Sequence, residues 1–182
     1  VQVAAEAAQE NKKTESPRCF PPVAAEHSRV LILGSFPGVR SLAQQEYYAH
    51  PRNAFWPIMG DLFGFDPHAP YGERLQALLD RGVALWDVLH CCERVGSLDA
   101  AIDPASVRVN DFDGFFRAHR FLQTVCFNGR RAEVEYIKAV GPLYSALPTV
   151  PELVCLPSTS PAMASLRYHD KRDAWRMICD YL

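Results

Sequence analysis

The chain's first continuous apolar run, Val30 to Leu33 (VLIL), breaks at Gly34 into a loop, GSFPG. A short apolar run bounded in this way reads as a strand buried on both faces. Gly34 allows a tight turn, and Pro37 and Gly38 are expected to keep the next residues out of regular structure. Tyr47, Tyr48, His50, Arg52 and Asn53 follow, and then Phe55, Trp56, Met59, Leu62 and Phe63 at helical spacing. A buried strand that ends in a polar, aromatic loop and then a helix is where α/β proteins keep their sites. The stretch from Gly34 to Asn53 is therefore read as one wall of a pocket.

The rest of the chain repeats the alternation. Leu75, Leu78 and Leu79 predict a short helix that stops at Gly82, and Val83 to Leu89 a second buried strand. Asp111 to His119 reads as a short helix and Phe121 to Phe127 as a third strand. After Asn128-Gly129 a helix is expected to about Val140, with Val134 and Ile137 facing inward. Leu153 to Leu156 is a fourth strand, and a last helix from about Asp170 carries Trp175, Ile178 and Leu182 on one face. This order predicts an α/β layer with a mostly parallel sheet. The polar segments GSFPG, WDVLHC, CFNGR and LPSTSP each follow a strand, so they should converge at the carboxyl edge of the sheet. Residues 1–17, polar and charged, are expected to form a flexible tail, and residues 18–182 a single domain.

Nineteen basic residues against twenty-one acidic ones leave a net charge of −2. That excludes a strongly basic coat for nucleic acid but leaves room for a local cationic face. Only four of the basic residues are lysines (Lys12, Lys13, Lys138, Lys171). All four lie outside the strand-end segments, which disfavours Schiff-base chemistry. The six cysteines show neither C-x-x-C nor zinc spacing. Cys126 and Cys155 fall in apolar runs and are expected in the core. No run approaches a membrane span and no secretory h-region is apparent, so a reducing cytoplasm is expected.

Neither a Walker loop nor G-x-G-x-x-G is present. Ser158 and Ser160 follow a strand, but without a G-x-S-x-G elbow a serine hydrolase remains only a formal alternative. His50, His90 and His169 have no metal-site spacing, and no metal or other cofactor is expected. Tyr47 and Tyr48 suit stacking against a planar ring, or else cover the core. Asn53 suits the N-cap of a helix starting at Ala54, or a pocket role, or both. Phe127 and Asn128 end a strand at a turn pair. The small residues of PSTSPA suit close approach to a phosphate backbone, or form a plain loop.

The segments GSFPG, YYAHPRNAFW, WDVL…GSLDAAI and LPSTSPA resemble the uracil-DNA glycosylase superfamily, and most closely its hypoxanthine-DNA glycosylase branch. The resemblance runs from Val30 nearly to the C-terminus. It implies a three-layer α/β/α sandwich around a four-stranded parallel sheet. The implied activity is that of a monofunctional DNA glycosylase, which removes deaminated bases, chiefly hypoxanthine, without a cofactor. Many members of the superfamily place Asp or Asn where this chain has Phe36, and His where it has Leu156. Uracil is therefore expected to be a lesser substrate.

The same resemblance gives Asn53 the catalytic role, with His50 assisting. It implies base-binding by Gly34, Ser35, Phe36, Pro37, Tyr47, Tyr48, Asp87, Ser97, Phe127 and Asn128. Arg40, Arg52, Arg94, Ser158, Thr159, Ser160, Met163 and Arg167 would meet DNA, with Met163 as a wedge. The partner implied is DNA carrying deaminated bases, bound by a monomer. Preference for uracil, xanthine or a broader set is the alternative. From another class, a catalytically weak DNA- or nucleotide-binding module would also fit.

Overall fold

Alternation along one strand sets the layering. In the computed structural model, which describes residues 17–142 and 150–182, β1 (Val30–Gly34) sits inside a parallel sheet. Its neighbours are β2 (Val83–Asp87) on one side and β5 (Thr124–Asn128) on the other, and β6 (Glu152–Leu156) completes the order β2-β1-β5-β6. All three pairings are parallel. Val30 and Ile32 point into one core, shared with α2 (Phe55–Phe63), α3 (Tyr71–Asp80) and α6 (Tyr168–Trp175). Leu31 and Leu33 point into a second core with α4 (Phe112–Ala118) and α5 (Arg130–Val140). The two cores on opposite faces give the expected three-layer α/β/α sandwich around four parallel strands. The predicted tail lies outside the described residues, except for Pro17.

Several local expectations are corrected. Pro37 and Gly38 do not prolong the loop: Gly38 is the extended N-cap of α1 (Val39–Gln44). The second apolar run is not one strand. It ends at Asp87, and the chain continues as β3 (Leu89–Cys91), paired antiparallel with β4 (Arg108–Val109). The third strand starts at Thr124, and Phe121 before it is exposed. On α5 the buried stripe is Ala132, Tyr136 and Val140, spaced four apart. Val134 is only half-buried. Ile137, about 100° round from Tyr136, is 44% exposed. Cys155 is exposed because β6 is an edge strand, whereas Cys126 on the inner β5 is buried. The last helix begins at Tyr168 behind the N-cap Arg167, whose N–H donates to the Asp170 carboxylate, and tightens into a 3₁₀ stretch over Arg176–Tyr181.

Candidate active site

The strand-end segments do converge. Together with the loop before α2 they enclose a cavity of about 730 Å³ at the carboxyl edge of the sheet. Gly34 to Gly38, Arg40, Tyr47, Tyr48, His50, Arg52, Asn53, Asp87, Ser97 to Asp99, Asn128 to Arg131 and Ser158 to Met163 line it. A smaller hollow of about 380 Å³ adjoins it and shares Arg52, Asn53, Thr159, Pro161 and Met163. Asn53 thus stands on the ridge between the two.

The absence of a side chain at Gly34 shapes the floor. Gly34 pairs with Asp87 at the end of the β1–β2 ladder. A Cβ at position 34 would lie 2.5 Å from Asp87 Oδ1 and 3.3 Å from Tyr48 Oη. Only glycine lets both polar groups close over the strand end. Tyr48 stacks one face on Phe55, with centroids 3.9 Å apart, and is held at φ 56. That is a left-handed backbone which costs free energy in a bulky residue. Burial raises its phenol pKa well above the ordinary value, and the Asp87 charge adds to this. Tyr47 is buried deeper: its ring packs edge-on against Phe20, its hydroxyl donates to Pro21 O, and its carbonyl accepts from Trp56 Nε1. It forms wall and core at once, so of the two tyrosines Tyr48 is the better placed for a planar ligand.

The loop ahead of α2 is wound tightly. Asn53 N–H donates to His50 O, and Arg52 N–H to His50 Nδ1, which leaves Nε2 as the ring's other polar atom. The helix begins one residue later than the sequence suggests. Ala54 is the N-cap, and Asn53 Oδ1 accepts from Phe55 N–H at 3.0 Å. Asn53 therefore satisfies an otherwise orphaned helix donor, while the second lone pair of Oδ1 remains for a ligand or water.

Three expected contacts are revised by burial. Phe127 is fully buried and packs on Tyr136 at 5.1 Å in the second core, so it does not face the cavity. Arg94, expected on DNA, has a side chain only 3% exposed. It donates to Pro37 O and Gly96 O, with its guanidinium 5.2 Å from the Phe36 ring. It braces the GSFPG loop and occupies a position beside Phe36. Thr159 is fully buried. Its hydroxyl accepts from Asn128 Nδ2 and its N–H donates to Asn128 Oδ1, both at 2.8 Å. That two-point clasp engages both ends of the Asn128 amide, so Asn128 fastens the loop after β6 to β5. Gly129, at φ 96, permits the approach, since a Cβ there would come 2.9 Å from Ser158 Cβ.

The remaining expected residues lie at the rim. Ser35 Oγ donates to Asp99 Oδ1 and Ser97 Oγ accepts from Val39 N–H, tying the Ser97–Asp99 loop to the first strand end. Met163 is exposed at the mouth of both hollows. Arg167 lies outside the cavity, paired with Asp170. Sequence reasoning missed Asp99, which collects Ser35 and the charge of Arg94, although it sits inside the quoted GSLDAAI segment. It also placed Lys171 away from the site. In fact α6 packs on the loop after β6, and the buried Lys171 Nζ donates to Ser160 O. Loss of solvent lowers its pKa.

A parallel α/β/α sandwich with a polar, aromatic cavity over its strand ends defines a ligand-binding α/β protein of the open-sheet class. A model of the uracil DNA glycosylase superfamily matches residues 21–179, and the chain belongs to that superfamily. It is 38% identical to the hypoxanthine DNA glycosylase of Methanosarcina acetivorans over 116 residues, which are 63% of this chain and 72% of that protein. The hypoxanthine DNA glycosylase of Methanosarcina barkeri is likewise 38% identical, over 62% of this chain and 71% of its own. The solution NMR structure of a uracil DNA glycosylase candidate from Methanosarcina acetivorans aligns with a TM-score of 0.74 at 32% identity. That alignment covers 89% of this chain and 95% of the other.

Proposed function

We propose that this chain hydrolyses the N-glycosidic bond of hypoxanthine in DNA and leaves an abasic site. The observation that carries the reading is the position of Asn53 at the cavity, in a chain similar to two proteins named hypoxanthine DNA glycosylase. A target base must leave the duplex before its bond to the sugar is accessible. The cavity offers it Tyr48 as an aromatic wall and polar groups around its edge. As the bond breaks, positive charge grows on the sugar and negative charge on the base. Asn53 Oδ1 orients a water near C1′ without placing a full negative charge there. His50 Nε2, Ser97 and backbone N–H groups stabilise the base. No helix among the described residues is long and apolar enough to cross a membrane, and action as a cytoplasmic monomer belongs to the same reading.

Base release should not be followed by strand cleavage until alkali or heat is applied. Lys171 is the lysine to watch, since it borders the adjoining hollow. Its Nζ is directed to Ser160 O, so no imine with the sugar is expected. Oligonucleotides that each carry one hypoxanthine, uracil or xanthine, developed with and without alkali, test the reading. Preferential cleavage at hypoxanthine, seen only after alkali, is expected. Turnover on none of them would leave a DNA-binding module instead. Preference for uracil or xanthine would move the substrate, and a borohydride-trapped adduct would overturn the monofunctional assignment.

A further inference from the structure

Asp87 is the buried carboxyl of the cavity, at 3% exposure. Its Oδ2 has no hydrogen-bond partner among the described residues. The Tyr48 hydroxyl beside it also has no hydrogen-bond partner among the described residues; the nearby Asn128 amide favours its ionised form, and one Nδ2 hydrogen of that amide goes to Thr159 Oγ1. A buried polar group without a partner is costly unless something completes it. Tyr48 and Tyr47 face Asp87 from the loop before α2, Tyr71 from α3, Cys19 from the segment beside β3, and Asp99 and Arg94 from the loop after β3. The one cation of this set, Arg94, gives Nε to Gly96 O and Nη2 to Pro37 O, while its buried Nη1 makes no hydrogen bond among the described residues and stands 3.8 Å from Asp99 Oδ1, so its charge is shared with that carboxylate.

We propose that Asp87 meets the flipped base as a neutral carboxylic acid and gives up its proton as the base leaves. This deepens the reading above and rests on it. A carboxylate at this point would repel a base that is gaining negative charge, whereas a carboxylic acid offers it a donor. The C1′–N9 bond breaks with its electron pair staying on the base, and the Asp87 proton passes to that base. The oxygen of water bonds to C1′, and the proton that the water loses returns to Asp87 through solvent. Burial, reinforced by the Asp99 charge and opposed by Arg94, pushes the Asp87 carboxyl up to about 8. The acid form therefore predominates at neutral pH.

Single-turnover excision of hypoxanthine against pH tests this, alongside Asp87→Asn, a variant of equal size that cannot titrate. The wild-type rate should fall about tenfold per pH unit above roughly pH 8, as expected when one essential acid is lost. Asp87→Asn should be about a hundredfold slower at neutral pH and lose that alkaline limb. His50→Gln and Tyr48→Phe should keep the limb where it is, which separates Asp87 from its titratable neighbours. A readout free of substrate is the ¹³C shift of the Asp87 carboxyl, expected to titrate near 8. Melting gives another. Between about pH 4 and pH 8 the folded chain keeps a proton that the unfolded chain has lost, so stability erodes as pH rises and levels off above 8. Asp87→Asn should remove that slope and melt higher at pH 8. A wild-type enzyme inactive on hypoxanthine overturns the functional reading, and this proposal with it. An active enzyme with a flat profile to pH 9, an Asp87→Asn variant at the wild-type rate, or a carboxyl titrating near 4 overturns this proposal alone.

Discussion

Asn53 places two demands on one oxygen. Its Oδ1 holds the first N–H of α2 and, in the reading above, also orients the attacking water. Asn53→Ala should lower single-turnover excision a hundred- to thousandfold, roughly 2.7–4 kcal/mol of transition-state stabilisation. The lost helix contact should cost about 1 kcal/mol of stability. Asn53→Ser and Asn53→Asp can both still accept from Phe55 N–H, so they separate the roles. A folded Asn53→Ser enzyme cleaving hypoxanthine at the wild-type rate would reduce Asn53 to a helix cap. At this scale the sequence is legible where polarity is unusual, as at Asn53, and much less so along apolar strands. Leu33 and Phe127 pair in register and both face the second core. On a strand covered on both faces either parity is apolar, so nothing in the pattern tells a last core residue from a first pocket residue. Arg94 misleads for a related reason: composition marks it as a surface cation, and only packing shows that it braces a loop.

Among the elements, order and type follow from the sequence, whereas boundaries depend on contacts between distant segments. The run Val83 to Leu89 reads as one strand because it is continuously apolar apart from Asp87. It is divided in the structure because Val88 N–H and Leu89 N–H turn to Gly34 O and Ser35 O at the first strand end. The loop after β6 is similarly fixed from afar, through the Asn128–Thr159 clasp. Asn128→Ala should strand two buried partners on Thr159 and lower stability by about 1–3 kcal/mol, read from the urea midpoint. It should also free the N–H groups of Ser158 to Ser160, Ala162 and Met163 to exchange faster and reduce excision. Thr159→Val removes the hydroxyl alone and should cost less. Equal stability and exchange in Asn128→Ala would show that the loop is held by other contacts.

Over the whole molecule the charge balance is nearly even, so in the reading proposed above the grip on DNA falls to a local group of arginines. Arg40, Arg52, Arg130 and Arg131 line the cavity, and Arg130 and Arg131 are shared with acidic neighbours on α5. Affinity for a hypoxanthine duplex should fall with salt at a slope of about −3 in log–log form, the signature of a few phosphates. Arg40→Ala should flatten that slope. Arg94→Ala should instead lower stability and leave the slope alone, because its side chain is buried. A slope near zero, or one near −10, would contradict this picture.

The sheet has two rims, sealed by different means. Val23 exchanges backbone hydrogen bonds with Leu85 on the outer side of β2, and Cys19 N–H donates to His90 O. The other rim, β6, is preceded by Pro151, which has no N–H to offer, and carries the exposed Glu152. Residues 18–23 thus act as a guard strand against self-recruitment, and they also back the cavity wall, where Phe20 packs on the Tyr47 ring, Pro21 O accepts from the Tyr47 hydroxyl and Cys19 lies near Asp87. A chain cut just after Val23 would keep the cavity arginines and Asn53, yet present an open row of donors and acceptors beside a fully buried strand. Such a molecule should grow into large particles under light scattering at concentrations where the uncut chain stays small. Persistence of small particles would show the rim to be protected without its guard. Growth of the cut chain would instead mean that residues 18–23, beyond backing the cavity wall, keep the molecules of this fold apart.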